Sequence, residues 1–166
     1  MDRIKVKIKR LSDTAIVPTY GSEKAAGLDL YADLGYTERY IEESKDKIEP
    51  HRFRKVIEIP PHTNKKIGCG FAFQLPEGYC VKLLARSGLS SKHSLRPANC
   101  TGLLDEDYRG EYMVALHNDS NETKYINHGD RICQITFEKY HQAELEEVDE
   151  LDETNRGSGG FGSSGR

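Results

Sequence analysis

The stretch Asn99-Cys100-Thr101-Gly102-Leu103-Leu104-Asp105-Glu106-Asp107-Tyr108-Arg109-Gly110-Glu111 combines a short apolar run with a marked turn. Leu103-Leu104 runs into acidic residues that Gly110 closes, and this pattern predicts a β-hairpin. Asp105 stands at the predicted strand end, where a carboxylate is a candidate base for activating water. Tyr108 offers a flat ring to a sugar or a base. An acidic hairpin tip with a packed tyrosine explains the same residues equally well when the stretch is taken alone.

Other segments of alternating polar and apolar character lie on both sides of this stretch. Each has the length of a strand and is bounded by Pro, Gly, Asn or Asp residues. The segments are Ile4–Ile8, Lys55–Ile59, Cys80–Leu84, Glu111–Leu116 and Arg131–Phe137. The sequence therefore predicts an all-β sandwich or barrel-like domain.

Length and composition narrow the function. A chain of 166 residues fits one domain that can bury a core without disulfides or a structural metal. The net charge of −3 provides no overall positive field for nucleic acid. The sequence from Met1 lacks the apolar run of a signal peptide, and no stretch is apolar enough to span a bilayer, so we expect a cytoplasmic or otherwise intracellular protein. The four cysteines have no CxxC spacing, which favours free thiols over a disulfide framework or a zinc site.

One internal segment departs from the strand pattern. Residues 33–55 are dense in charges of both signs, and Tyr36, Tyr40 and Ile41 are spaced to line one face of a short helix. We interpret the segment as an insertion between strands of a domain that spans residues 1–142.

The C-terminal end changes character twice. Residues 143–155 contain seven acidic residues and no basic residue, and residues 156–166 hold five of the fifteen glycines. By composition the glycine-rich end is a flexible tail. It is also suited to be an arm that closes over a ligand, because glycine lets backbone N–H groups approach a phosphate.

Three further stretches carry residues that suit a phosphate chain. Residues 85–92 end a strand with Arg86, several hydroxyl groups and Gly88, which offer charge, O–H donors and open backbone N–H groups. Asp29 follows a glycine at the start of a strand, and Gln134 faces one side of another strand. Taken alone, each stretch is explained by an ordinary turn, helix cap or strand pairing.

Taken together and in order, five stretches resemble the five motifs of the trimeric dUTPase family. They are AAGLDLYA (25–32), ARSGLSSK (85–92), NCTGLLDEDYRGE (99–111), GDRICQI (129–135) and RGSGGFGSSG (156–165). The resemblance implies a distorted jelly-roll barrel of the β-clip type that assembles into a homotrimer and exchanges its C-terminal arm between subunits. It also implies hydrolysis of dUTP to dUMP and pyrophosphate, with Mg²⁺ as cofactor. The chain departs from the family at Ala85, where proline is usual, at Cys133, and in the length of residues 33–55, but no reacting group is lost.

The resemblance assigns roles in the reaction and in base recognition. Asp105 would polarise the water that attacks the α-phosphorus. Tyr108 would pack under the deoxyribose and leave no space for a 2′-hydroxyl group. Uracil would pair with the Asn99 side chain and with backbone groups near three apolar residues, Leu103, Leu104 and Met113.

The resemblance also assigns phosphate and metal contacts. Phosphates would be bound by Arg86, Ser87 and Gly88, with Gln134 beside them. Asp29 would reach Mg²⁺ through coordinated water, together with the substrate phosphates. In the arm, Arg156 would hold the γ-phosphate and Phe161 would stack on uracil. The other arm residues would wrap the triphosphate: Gly157, Ser158, Gly159, Gly160, Gly162, Ser163 and Ser164.

Two alternatives stay open at this point. A dCTP deaminase shares the fold and resembles the hairpin, but its catalytic glutamate lies on the following strand, where this chain has Ala115. A dUTPase with an added regulatory role is the second alternative, since certain phage dUTPases engage a host partner through an inserted segment. Release of ammonia from dCTP would identify the first, and deletion of residues 33–55 would test the second.

Overall fold

A computed structural model describes residues 3–44 and 47–160, with backbone only for residues 37–44 and 47–52. Within these ranges the chain forms fourteen strands and one helix, which confirms the all-β prediction. They are β1 (Lys7–Arg10), β2 (Thr19–Tyr20), β3 (Leu28–Tyr31), β4 (Tyr36–Ser44), β5 (Lys47–Arg54), β6 (Val56–Ile59), β7 (Asn64–Gly68), β8 (Phe71–Gln74), β9 (Tyr79–Leu84), α1 (Ser87–His93), β10 (Leu95–Pro97), β11 (Gly102–Leu104), β12 (Met113–Asn118), β13 (Lys124–Asn127) and β14 (Arg131–Lys139).

Four antiparallel sheets of the described residues enclose the core: two of two strands each, β1-β8 and β13-β6, and two larger ones. Of these two larger sheets, one has the strand order β11-β9-β14-β3-β2, and the other has the order β10-β12-β7. Buried side chains alternate with exposed ones along the strands, as in β12, so one face of each sheet points inward. Both of the larger sheets contribute to a single hydrophobic cluster, which includes Leu30, Val81, Ile135, Ile67 and Leu116. Each such buried side chain stabilises the fold by about 1.5–3 kcal/mol.

The predicted hairpin between β11 and β12 is wrong in its pairing. β11 pairs with β9, whereas β12 pairs with β7 and β10, so the chain crosses from one sheet to the other. Tyr112 explains the crossing. Its N–H donates to the carbonyl of Phe71 at 2.9 Å, its carbonyl accepts from Cys69 N–H at 3.0 Å, and its ring stacks on Phe73. Burying this large ring draws the chain into the core directly after the acidic turn.

The short helix predicted within residues 33–55 is also wrong. β4 and β5 form a two-stranded antiparallel hairpin, with Tyr36 opposite Arg54 and Glu38 opposite Arg52 in the register. The strand pairing runs from Tyr36 to Ser44, which is a longer stretch than the three residues with helical spacing cover. The hairpin closes at its base, where Lys55 N–H donates to the carbonyl of Gly35 at 3.1 Å.

His128 anchors this hairpin to the rest of the domain. Its ring Nδ1 accepts hydrogen bonds from the backbone N–H groups of Leu34 and Gly35 at 3.2 Å each. Its backbone N–H donates to the carbonyl of Lys55 at 2.8 Å. The hairpin therefore leaves and re-enters the domain at one buried residue. Neither α1 nor any other helical turn in the described ranges has the length and apolar character needed to cross a membrane.

Candidate active site

Asp29 lies at the centre of a cationic cluster. β3 places it opposite Gln134 of β14. Its Oδ1 accepts a hydrogen bond from Arg86 Nε at 3.0 Å, and its Oδ2 accepts one from Arg131 Nη1 at 3.1 Å. Because Asp29 is only 6% exposed, the hydrogen bonds from these two guanidinium groups replace the water that its carboxylate would otherwise contact. One carboxylate thus holds two guanidinium groups together, and the cluster keeps one net positive charge.

Gln134 ties this cluster to the start of α1. Its Nε2 donates to the carbonyl of Ala85 at 3.1 Å. A Cβ atom at Gly27 would lie 2.5 Å from Gln134 Oε1, so this position needs a glycine for the amide to fit. The structure thus places Gln134 next to Ala85, the residue before Arg86, and its predicted place beside the phosphates stays a prediction.

The backbone after Arg86 is open. Arg86 has an extended conformation and precedes α1, and Ser87 and Gly88 are exposed at the first helical positions. The first N–H groups of a helix have no carbonyl partner within it. A Cβ atom at Gly88 would meet nothing within 4 Å. Arg86 Nη1 also donates to the carbonyl of Arg131 at 3.2 Å, so both Asp29 and Arg131 hold the guanidinium in place. This arrangement suits an oxyanion ligand.

The acidic turn after β11 is a second group of predicted site residues. Asp105 is exposed, and its carbonyl accepts from Tyr108 N–H at 3.2 Å. Glu106 braces the turn, because its Oε2 accepts from Gly78 N–H at 2.6 Å and its carbonyl accepts from Arg109 Nη1 at 2.6 Å. A hydrogen bond to Glu106 also raises the pKa of the Tyr140 phenol. The turn is thus fixed through Glu106, and the Asp105 side chain is exposed beside it.

The residues predicted to bind a base lie just before and just after this turn in the sequence. Asn99 is exposed and lies beside Cys100, which has a φ of +61°. Leu103 is 64% exposed and Met113 is 44% exposed, while Leu104 is half-buried. Large exposed apolar side chains beside an exposed amide are typical of a surface that a ligand or another chain covers.

The two groups are far apart within one chain. The register aligns Asp29, Gln134 and Leu84 across three strands, and it places Leu104, the last residue of β11, opposite Val81 near the other end of β9. With a strand spacing of about 4.8 Å and a rise of about 3.4 Å per residue, Asp105 lies on the order of 20 Å from Asp29. A separation on this scale exceeds the distance of about 3–3.5 Å between reacting atoms, so these two groups of one chain do not meet at a single phosphorus atom.

The C-terminal arm is described as far as Gly160. Arg156 is exposed, and its Nε donates to the carbonyl of Gly159 at 2.8 Å within a local turn. In the described ranges, no hydrogen bond or ion pair joins the arm to the cationic cluster or to the acidic turn. The remaining predicted arm residues lie outside the described residues: Phe161, Gly162, Ser163 and Ser164.

Arg131 is a site residue that sequence reasoning missed. The stretch GDRICQI was interpreted for Gln134, and Arg131 was taken as part of an ordinary strand. The structure places its guanidinium on Asp29, just before a register shift between Arg131 and Cys133. The available signal was the position of Arg131, a cation at the start of the strand that pairs with β3.

Comparison with known proteins assigns the chain to a family. The family model described as dUTPase matches residues 52–165, which is more than half of the chain. The chain belongs to the dUTPase family. The matched residues include the acidic turn, the arm as far as Gly165, and Arg86, Arg131 and Gln134 of the cationic cluster, whereas Asp29 precedes them.

Individual dUTPases resemble the chain over its whole length. The deoxyuridine 5′-triphosphate nucleotidohydrolase of Nautilia profundicola is 41% identical, over 98% of this chain and 100% of that protein. The mitochondrial human protein of the same name is 37% identical, over 98% of this chain and 56% of that protein. Among solved structures, the dUTPase of Staphylococcus bacteriophage 80alpha with dUPNHPP has a TM-score of 0.78 and 25% identity, and it covers 98% of this chain and 99% of that chain.

Proposed function

We propose that the protein hydrolyses dUTP to dUMP and pyrophosphate at sites shared between the three subunits of a homotrimer. The separation of Asp105 from the cationic cluster carries this proposal, because each group is suited to one half of the same reaction and neither can complete it alone. Family membership supplies the substrate, since relatives over the full chain are named deoxyuridine 5′-triphosphate nucleotidohydrolase.

The cationic cluster binds the triphosphate. Arg86 presents charge-assisted donors, and the N–H groups of Ser87 and Gly88 lie next to it. The hydrogen bond to Asp29 already fixes the Arg86 side chain, so Arg86 loses little conformational entropy when the triphosphate binds. Gln134, which is fixed by Ala85, contributes its amide to the same pocket. The substrate thus meets a preorganised set of donors.

Asp105 of a neighbouring subunit acts on the water. The carboxylate accepts a proton while the water oxygen forms a bond to the α-phosphorus. The bond from that phosphorus to the oxygen bridging to the β-phosphorus breaks, and pyrophosphate leaves. Phosphoryl transfer depends mainly on positioning and on neutralising charge, so a positioned carboxylate and a cluster of donors are sufficient machinery.

The acidic turn and the residues before it select the nucleoside. The Asn99 side chain and the backbone near Leu103, Leu104 and Met113 pair with uracil, and the Tyr108 ring packs against the deoxyribose. A pocket of matched hydrogen-bonding groups discriminates strongly against a base with the wrong donors and acceptors, whereas the thymine methyl group is excluded only by steric fit.

Mg²⁺ fits this site through water. Both oxygens of the Asp29 carboxylate already accept one guanidinium hydrogen bond, which leaves each with a further lone pair. The described residues contain no group of three or more acidic, histidine or cysteine side chains that could hold a metal ion directly. Asp29 together with substrate phosphates would hold the hydrated ion, which supplies neutralisation of phosphate charge.

The C-terminal arm closes the site. Arg156 holds the γ-phosphate, and Phe161 stacks on uracil. The small residues between and after them let the backbone follow the triphosphate: Gly157, Ser158, Gly159, Gly160, Gly162, Ser163 and Ser164. The acidic segment 143–155 is exposed along its length, so it is free to carry the arm to another subunit.

The reaction places the protein in intracellular nucleotide metabolism. Removal of dUTP limits incorporation of uracil into DNA, and the product dUMP supplies dTMP synthesis. A cytoplasmic location, without nucleic-acid or membrane partners, agrees with a free nucleotide as substrate. Deamination of dCTP is disfavoured, because Ala115 occupies β12, where the deaminase glutamate would lie.

The β4–β5 hairpin provides a second role, as a contact for a regulatory protein partner. Its strands pair only with each other, so both outer edges are open to strand addition within the described residues. Because Gly35 and Lys55 are hydrogen-bonded at its base, residues 37–52 can be replaced by a short glycine linker that keeps Tyr36, whose ring packs against His128 at 4.5 Å. The shortened protein should keep its dUTP turnover and lose binding to a partner that the full protein retains.

Pyrophosphate release from dUTP, dTTP, dCTP and UTP, with and without Mg²⁺, tests the main function. Turnover should be selective for dUTP and should rise with Mg²⁺. Ammonia release from dCTP, or equal turnover of all four nucleotides, would contradict the proposal.

A further inference from the structure

The Tyr108 ring lies directly against the backbone of Gly110. A Cβ atom at Gly110 would be 2.4 Å from the Tyr108 hydroxyl oxygen and 2.6 Å from Cζ. Non-bonded carbon atoms normally stay about 3.5–4.0 Å apart, so a side chain here and this ring position exclude each other. Gly110 is not among the residues with positive φ, so no left-handed backbone conformation requires a glycine there. The ring, and not the turn, requires the glycine.

Two other contacts fix the same ring. The Tyr108 hydroxyl group donates to the carbonyl of Glu111 at 3.0 Å. Its ring lies 6.1 Å from the ring of Tyr112, which is fully buried and stacked on Phe73 at 4.3 Å. Tyr108 itself is 41% exposed. The ring is therefore held from the side of the domain and presents its remaining surface outward.

We propose that Gly110 is a positioning residue for sugar discrimination. By omitting a side chain it lets Tyr108 lie flat on the turn, at a depth that leaves room for C2′ of a deoxyribose and none for a hydroxyl group. This inference rests on the proposed role of Tyr108. A methyl group at Gly110 would have to displace the ring tip by roughly 1 Å. The hydroxyl bond to Glu111 does not survive that shift, so the ring leaves its position and the wall against the 2′-hydroxyl is lost.

Four proteins test the proposal: wild type, Gly110→Ala, Tyr108→Ala and the double variant. The measured quantity is kcat/KM for UTP divided by kcat/KM for dUTP. Gly110→Ala should raise this ratio at least about fivefold. The double variant should have the ratio of Tyr108→Ala alone, because Gly110 acts only through the ring.

Two further measurements keep the outcomes distinct. Calorimetric affinities for the α,β-imido analogues of UTP and dUTP should show the same shift in ratio, so the test does not depend on turnover. Tyr108→Phe removes only the hydrogen bond from the ring to Glu111, and it should raise the ratio less than Gly110→Ala does. If Gly110→Ala does not fold, Tyr108→Phe still tests whether the position of the ring controls the ratio.

An unchanged ratio in Gly110→Ala overturns the proposal. So does a double variant that differs from Tyr108→Ala, because Gly110 would then act independently of the ring. An unchanged ratio in Tyr108→Ala, in a protein that hydrolyses dUTP, removes both residues from sugar selection. Absence of dUTP hydrolysis in the wild type contradicts the proposed function instead.

Discussion

Arg131 Nη1 donates to Asp29 Oδ2 at 3.1 Å, and this bond joins the first residue of β14 to the middle of β3. Asp29 is buried, so loss of one guanidinium leaves part of its charge without a partner. The Arg86 guanidinium would then shift together with the Asp29 carboxylate, to which it is hydrogen-bonded. We therefore expect Arg131 to affect phosphate binding through Asp29 and Arg86.

Replacing Arg131 with methionine should lower kcat/KM for dUTP at least about tenfold, because the position of Arg86 is no longer fixed. Steady-state release of pyrophosphate measures the change. Lys82→Met is the control, since it removes a cation that pairs with Glu138 away from Asp29. Wild-type kinetics in Arg131→Met would remove this residue from the site.

Asp105→Asn should reduce turnover to below roughly a tenth of wild type while dUTP binding stays intact, because the amide keeps the shape and cannot accept the proton. Pyrophosphate release and calorimetric binding of a non-hydrolysable dUTP analogue measure the two properties. Asp107→Asn is the matched control, because Asp107 is an exposed acid two residues away in the same turn. Equal losses in both variants would show that the turn's charge matters and that Asp105 has no separate role.

Subunits with different defects should complement one another. Asp105→Asn and Arg86→Ala are each expected to be inactive as homotrimers. Trimers refolded from an equal mixture should regain about a quarter of wild-type turnover, because one site in four receives an intact cluster and an intact carboxylate from different chains. Analytical ultracentrifugation checks the trimer. No recovery in mixed trimers would place both groups in the site of a single chain.

The sequence identified the strands because their alternating pattern is local. The pairing of β11 was not predictable in this way, since the burial of Tyr112 against Phe73 depends on a strand far away in the sequence. The β4–β5 hairpin was misread for a related reason. Tyr36, Tyr40 and Ile41 fit a helical spacing, and only pairing with residues 47–54 reveals the strand register.

The site was predictable by residue type and less so by contact. Asp29, Arg86 and Gln134 were expected near one another and are in one cluster. Arg131 was missed, because a cation at a strand start is common and its bond to Asp29 spans most of the chain. The contact of the Tyr108 ring with the Gly110 backbone was also not predicted, because a glycine beside a turn is ordinarily explained by the turn itself.

Alkylation by iodoacetamide at neutral pH should modify one thiol in each native subunit, at Cys100. This is the exposed cysteine, whereas Cys69, Cys80 and Cys133 are buried. Burial, with Glu111 and Asp33 nearby, raises the pKa of Cys69 to about 12, so its thiol stays protonated and unreactive up to strongly alkaline pH. Mass spectrometry of digested protein identifies the labelled residue, and Cys100→Ser should abolish native labelling. Labelling of Cys69 in the folded protein would contradict its burial.

Truncation after Asn155 should leave a folded trimer and lower kcat for dUTP at least about tenfold. The arm contains mostly glycine and serine, so ordering it costs on the order of 1 kcal/mol per residue, which only a ligand with many acceptors offsets. Arg156 supplies a charge-assisted contact and Phe161 supplies stacking worth roughly 1–3 kcal/mol. Phe161→Ala should therefore cause a smaller loss than the truncation, and closure of the site over the triphosphate explains the remainder. Pyrophosphate release and sedimentation are measured on both variants. Wild-type turnover in the truncated trimer would mean that the arm takes no part in the reaction, despite its match to the family.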